Sequence, residues 1–203
     1  MLRLLYAPLS PFARKVRVAA IETDVNSRIT LVPVDVWSAD PEVEAYAPLG
    51  QVPVLLGGPE PLPGSTLICE YLNSLNPGRK LVPASAEARW RVLASHALAD
   101  GIMTAAVAHT IERVRRPAAA QWPQWLSRQE SKIVRALSLL ETKDLGVAPD
   151  LATITLGVAL AYLNRRIPML EWRATHPKLS AWLACFEQRP SMQMTRFPEE
   201  KAA

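Results

Sequence analysis

Cysteine, histidine and aromatic residues are scarce in this chain: two cysteines, three histidines and 6% Phe, Trp and Tyr among 203 residues. Cys69 and Cys185 lie far apart, each in an apolar, helix-like stretch. That fits buried, reduced thiols better than a disulfide framework and leads us to expect a cytoplasmic protein. His96, His109 and His176 show no metal-ligand spacing with one another or with the cysteines, so no metal is expected. Basic runs are missing as well. No more than two basic residues are consecutive, and 23 Lys and Arg against 19 Asp and Glu leave a net charge of only +4, which does not indicate a nucleic-acid partner. The longest apolar stretch, residues 151–163, is interrupted by Thr153 and Thr155 and followed by Asn164-Arg165-Arg166. It falls short of the roughly 20 residues of a membrane span, so no membrane association is expected. The opening MLRLLYAPLSPFARK places its apolar run ahead of Arg14 and Lys15, the reverse of a secretory signal.

What is present is enough apolar material for a real core, 49% hydrophobic against 21% charged. The texture changes along the chain. Short β-like runs alternate with helices in the first third, whereas the rest reads as almost purely helical. Two domains are expected, residues 1–76 and 86–203, joined by a linker at 77–85. In the first, Leu2 to Tyr6 and Ile29 to Val34 read as strands. Between them Ser10-Pro11 opens a helix, with serine suited to the N-cap and proline to the first helical position. Pro41 to Tyr46 forms a short helix, and Val52-Pro53-Val54-Leu55-Leu56 before Gly57-Gly58 reads as a strand ended by a turn. Pro53 cannot donate a ladder hydrogen bond, which implies a special backbone geometry there. Ser65 caps a further helix carrying Leu67, Ile68, Tyr71, Leu72 and Leu75. The order is β-α-β-α-β-(β)-α, and the helical crossover makes the first two strands parallel.

Beyond the linker, Trp90, Leu93, Ala94, Ala97, Leu98, Gly101, Ile102 and Ala105 hold an i, i+3, i+4 stripe on a long helix that Pro117 stops. A second helix carries Leu126, Ile133, Leu137 and Leu140. The third, residues 151–163, is apolar all round and therefore central. A fourth follows His176-Pro177 with Leu179, Trp182, Leu183 and Phe186, giving a bundle of at least four helices.

The segment with most chemistry is Ser10-Pro11-Phe12-Ala13-Arg14-Lys15. It places a hydroxyl and free backbone N–H groups at a helix start directly after a strand, an environment that favours anions and thiolates; an ordinary N-cap is the alternative. The spacing resembles the thioredoxin-like Cys-x-x-Cys, but Ser10 and Ala13 replace both thiols, which excludes dithiol redox chemistry at this site. Two more segments follow, Gly50-Gln51-Val52-Pro53-Val54-Leu55 and Gly64-Ser65-Thr66-Leu67-Ile68-Cys69-Glu70-Tyr71-Leu72.

In this order and spacing the three segments resemble the N-terminal domain of the glutathione transferase family, of the bacterial serine type. Pro149-Asp150-Leu151-Ala152-Thr153-Ile154 and the ending His176-Pro177 through Trp182 to Arg189-Pro190-Ser191 resemble that family's C-terminal half, so the resemblance covers essentially the whole chain. It implies an α/β thioredoxin-like domain followed by an all-α helical bundle. It also implies a homodimer and an enzyme of detoxification that adds the glutathione thiolate to an electrophilic small molecule; a non-catalytic glutathione- or partner-binding module of the same fold is the alternative. Ser10 would be the catalytic hydroxyl. Pro11, Phe12, Gln51, Val52, Pro53, Gly64 and Ser65 would bind glutathione, with a cis Pro53 and Ser65 at the γ-glutamyl carboxylate. Asp100 is a candidate contact contributed across a dimer, and Glu60 is the other acid that would compensate the ammonium. Three departures stand out. Asp150 and Thr153 exchange the family's usual capping order, Gln51 replaces a frequent Lys, and Gly64 replaces an acid. Tyr6 is a lesser candidate for activating the thiol. One of Arg113, Arg115 and Arg116 is a lesser candidate for an anionic ligand group, beside their plain role at a helix C-terminus. The small residues Gly101, Ala105 and Ala106 suit either close helix packing or the dimer interface.

Overall fold

The structure is a computed structural model in which residues 1–38, 41–78 and 80–198 are described. Contacts divide the chain into two units, Met1–Ala84 together with Pro190–Ala203, and Ser85–Arg189. The expected second domain ran through residue 203, so the division differs at the end of the chain; residue 79 of the expected linker and residues 199–203 lie outside the described residues.

In the first unit β1 (Leu2–Tyr6) pairs in parallel with β2 (Ile29–Pro33), Leu2 opposite Ile29 and Tyr6 opposite Pro33. The crossover is α1 (Pro11–Glu22). After the short α2 (Pro41–Tyr46), β3 (Val54–Leu56) returns antiparallel to β1 and pairs with β4 (Leu62–Pro63), giving the strand order β2-β1-β3-β4. Leu5, Val43, Ala47, Val54 and Leu56 form a buried cluster with Val32, Val34 and Val52 packed against it. The expected strand from residue 52 begins at Val54, because Pro53 brings no N–H to a ladder.

Helix α3 (Ser65–Leu75) corrects another expectation. Its N-cap is Gly64, at φ 89° and ψ 133°, with no side-chain cap, and Ser65 is its first helical residue. The last element of this unit, α9 (Pro190–Met194), lies on α1. There Arg14, only 4% exposed, donates to Met192 O and Thr195 Oγ1, and the Ser191 hydroxyl donates to the buried Glu22 carboxylate.

The second unit contains α4 (Ala86–Arg115), α5 (Pro123–Glu141), α6 (Leu151–Arg166), α7 (Trp172–Thr175) and α8 (Pro177–Phe186). Helix α6 is buried from Leu151 to Leu163 without a break, as its all-apolar sequence requires. Its start is a capping box in which the Asp150 carboxylate accepts from Thr153 N and Thr153 Oγ1 accepts from Asp150 N, both at 2.8 Å. The exchanged capping order therefore keeps both bonds. On α5 the buried residues include Leu126, Ile133, Leu137 and Leu140, as expected. The buried face of α4 is rotated from the expected stripe: Trp90, Ala94, Ala97 and Gly101 are exposed, while His96, Ala99, Ile102, Met103, Ala106 and His109 are buried. Both histidines bury because each has a partner, His96 Nδ1 at 2.9 Å from Thr155 Oγ1 and His109 Nε2 at 2.9 Å from Glu130 Oε1.

Three variants test these helix starts. Burial raises the Asp150 carboxyl above its ordinary value against the lowering bonds from Thr153 and Ala152. A carboxyl raised in the folded state contributes most below the ordinary carboxylate range, and that contribution is lost as pH rises through its folded value. Asp150→Asn keeps an acceptor without the charge, so its stability relative to the parent should improve from about pH 3 to about pH 7. Asp150→Ala should cost about 0.5–2 kcal/mol; urea unfolding at both pH values measures the pair. Gly64→Ala should cost about 1–3 kcal/mol in the same assay. An added Cβ meets nothing within 4 Å there, so the loss would come from the positive φ alone.

Candidate functional site

The first unit brings three segments of the sequence together at the starts of two helices. At α1, Ser10 is extended (φ −74°, ψ 121°) and its Oγ accepts from Ala13 N at 3.2 Å, while Pro11 occupies the first turn, where no N–H is needed. A hydroxyl that accepts through a lone pair still has its one hydrogen to donate, so Ser10 can cap α1 and serve a ligand at once. Ser10 and Phe12 are half-buried and Pro11 is buried.

The Val52-Pro53 peptide is cis. Pro53 O accepts from Gly64 N at 3.0 Å, which ties the segment before β3 to the residue that opens α3. Gln51 is exposed, Val52 half-buried, Pro53 buried, Gly64 exposed and Ser65 buried. With neither a side-chain cap nor an acidic residue in its first turn, α3 keeps N–H groups and the positive end of its dipole for another acceptor. Such a helix start suits a carboxylate. Asp100 belongs to the other unit, where it lines an open groove of about 510 Å³ along α4 and α5 with Gly101, Thr104, Trp125 and Lys132.

One residue here escaped the sequence reading. Lys15, on α1, is 0% exposed, and its Nζ donates to Thr66 Oγ1 at 3.3 Å, on the second residue of α3. The available signal was its position one turn before the buried Ala19 on the packed face of the helix.

Each lesser candidate has surroundings of its own. Tyr6 is half-buried at the end of β1, with the Arg17 guanidinium 5.6 Å from its ring centre. Cys69 is buried as expected, but Cys185 is exposed on α8, which corrects the expectation of two buried thiols. Arg113 and Arg115 occupy the last turn of α4, and Arg116 donates to Glu112. Of the small-residue trio, Ala105 and Ala106 are buried within the chain, which leaves Gly101 exposed. His176 is buried with Nδ1 2.9 Å from Trp172 O. Among the described residues no group of three His, Cys, Asp or Glu side chains stands in metal-binding geometry, and no helix is long and apolar enough to cross a membrane.

Comparison with known proteins establishes the family. Residues 9–75 match the glutathione S-transferase N-terminal domain and residues 123–185 match the C-terminal domain. The chain is 34% identical to the uncharacterized GST-like protein YibF of Escherichia coli K12, over 98% of this chain and all of that one. A glutathione transferase family member of Pseudomonas fluorescens Pf-5 with bound glutathione is 40% identical, with a TM-score of 0.94 over 98% of this chain and all of that one. With bound S-(propanoic acid)-glutathione, the Pf-5 family member gives a TM-score of 0.89 over the whole of both chains, again at 40% identity. With both of its domains matched and a thioredoxin-like α/β unit preceding the helical one, the chain belongs to the glutathione transferase family.

Proposed function

We propose that this protein is an enzyme that conjugates glutathione to an electrophilic small molecule. The observation that carries the reading is the start of α1, where the Ser10 hydroxyl caps the helix through a lone pair and keeps a hydrogen for a thiolate. The reading is supported by the relatives that bind glutathione and S-(propanoic acid)-glutathione, the latter a thioether of the kind that conjugation makes.

In this reading the cysteinyl backbone of glutathione pairs with Val52 ahead of the cis Pro53, between Gln51 on one side and Pro11 and Phe12 on the other. The γ-glutamyl carboxylate meets Ser65 and the first N–H groups of α3. The thiol then lies at Ser10, where the O–H donates to sulfur and the α1 dipole adds to the same field. Each unit by which the thiol pKa falls below about 8.5 favours the thiolate by about 1.4 kcal/mol. The thiolate attacks an electrophilic carbon; a C–S bond forms, and the electron pair leaves with a displaced group or takes up a proton after addition to a double bond. The protein works as a homodimer in the cytoplasm, in detoxification, with Asp100 of one copy reaching the ammonium of glutathione held by the other.

One observation favours the second reading, a binding module without turnover. Gly64 supplies no acid for that ammonium, and its φ of 89° makes one costly to install.

Retention on immobilised glutathione followed by a conjugation assay with an aromatic electrophile separates the two readings; retention without turnover sinks the enzyme. Ser10→Ala should raise the pKa of the bound thiol and cut conjugation about ten- to a hundredfold, since a hydrogen bond to a charged sulfur is worth about 1.5–3 kcal/mol. The same variant loses a helix cap and about 1 kcal/mol of stability, whereas Ser10→Thr keeps both roles. An unchanged thiol pKa in Ser10→Ala would remove Ser10 from the mechanism. Ser10→Cys should form a mixed disulfide with oxidised glutathione, readable as an added glutathionyl mass.

A further inference from the structure

We propose that Lys15 is a positioning residue for the γ-glutamyl carboxylate: a fully enclosed ammonium set behind the first turn of α3 that strengthens carboxylate binding there without touching the ligand. The inference rests on the placement of glutathione proposed above and assigns a role to a residue that this placement leaves unused.

Lys15 is 0% exposed and donates from Nζ to Thr66 Oγ1, so its charge stands against the second residue of α3 and away from water. A charge removed from water acts on its neighbours through a lower effective dielectric and is little screened by salt. The start of α3 is itself the positive end of a helix, with no acid in its first turn and no capping side chain. Three other helix starts, those of α1, α6 and α8, are closed by side chains of this chain. Ser10 caps α1, Asp150 and Thr153 close α6, and at α8 the Glu141 carboxylate accepts from Lys178 N and Leu179 N at 2.7 and 2.9 Å. The α8 arrangement shows what a first turn in this chain does with a carboxylate. At α3 no side chain caps the turn and no acid lies within it, and a buried cation of the same sign as the helix end stands behind it. The next acid along α3 is Glu70, one turn from Thr66 on the same face, and neutralising Lys15 alone reads the contribution of Lys15 with Glu70 still in place. Thr66 is the mechanical link: its hydroxyl holds the ammonium, and its backbone belongs to the turn that meets the ligand.

Titration calorimetry on the full chain with two probes tests this. One probe is glutathione; the other is γ-aminobutyryl-cysteinylglycine, which lacks only the γ-glutamyl carboxylate. Lys15→Met should weaken glutathione about five- to tenfold and leave the second probe unchanged. Lys15→Arg, which keeps the charge, should retain the preference for glutathione over the second probe. Equal weakening of both probes in Lys15→Met would mean that Lys15 merely supports the scaffold, and no change in either would mean that its charge is not felt; each overturns the proposal. Lys15→Gln carries the same comparison should the methionine variant not fold. If the unsubstituted chain fails to bind glutathione, or binds both probes equally, the placement of glutathione itself falls and Lys15's role with it. If the unsubstituted chain discriminates and Lys15→Met discriminates equally well, only the role of Lys15 is lost.

Discussion

The hydrogen bond from Gly64 N to Pro53 O is the constraint on which the candidate site depends. It joins the segment before β3 to the residue before α3, so the direction in which α3 presents its first turn is set by the sheet rather than by a flexible connection. Gly64 meets the demand because its positive φ lets the chain leave β4 and enter the helix immediately, with the N–H still turned back toward Pro53. A side chain at that position would have room, but its backbone would not be relaxed. The site thus exchanges an acidic side chain for an undistorted junction.

Helix starts in this chain solve one physical problem in different ways. Each leaves backbone donors that need an acceptor. The box at α6 meets the need within its own turn and begins a helix with no polar face; a missed start there would leave donors stranded near the apolar centre of the helical unit. Glu141 does the same for α8 from the end of α5, so that one ion fastens two helices. Ser10 closes part of the need at α1 and keeps a hydrogen in hand.

Where structure follows from neighbours in the chain, the sequence was readable. The strand and helix order of the first unit, the parallel β1 and β2 pair, the caps at Ser10 and Asp150 and the burial of α6 all follow from local patterns. The rest needed information that a local pattern does not hold. Ser65 looks like an N-cap because serine usually is one; that Gly64 takes the position depends on its φ, which the Pro53 bond sets. On α4, small and apolar residues lie almost all round, so periodicity does not mark the packed side, and the buried face follows instead from the partners that His96 and His109 find on α6 and α5. Cys185 reads as buried within an apolar run, yet it falls on the open side of α8. Lys15 reads as a surface charge until α3 is laid over it. The candidate residues from Ser10 to Ser65 were nominated by their motif, which holds no sign of the bond from Gly64 N to Pro53 O.

The return of α9 to α1 has a consequence for the order of assembly during synthesis. Residues of the first unit come from both ends of the chain, with the whole of the helical unit between them. As the polypeptide leaves the ribosome, residues 85–189 are complete before α9 exists. Until then Arg14 lacks Met192 and Thr195, and Glu22 lacks the Ser191 hydroxyl. These three bonds of the N-terminal segment therefore form only after residues 190–195 have been translated.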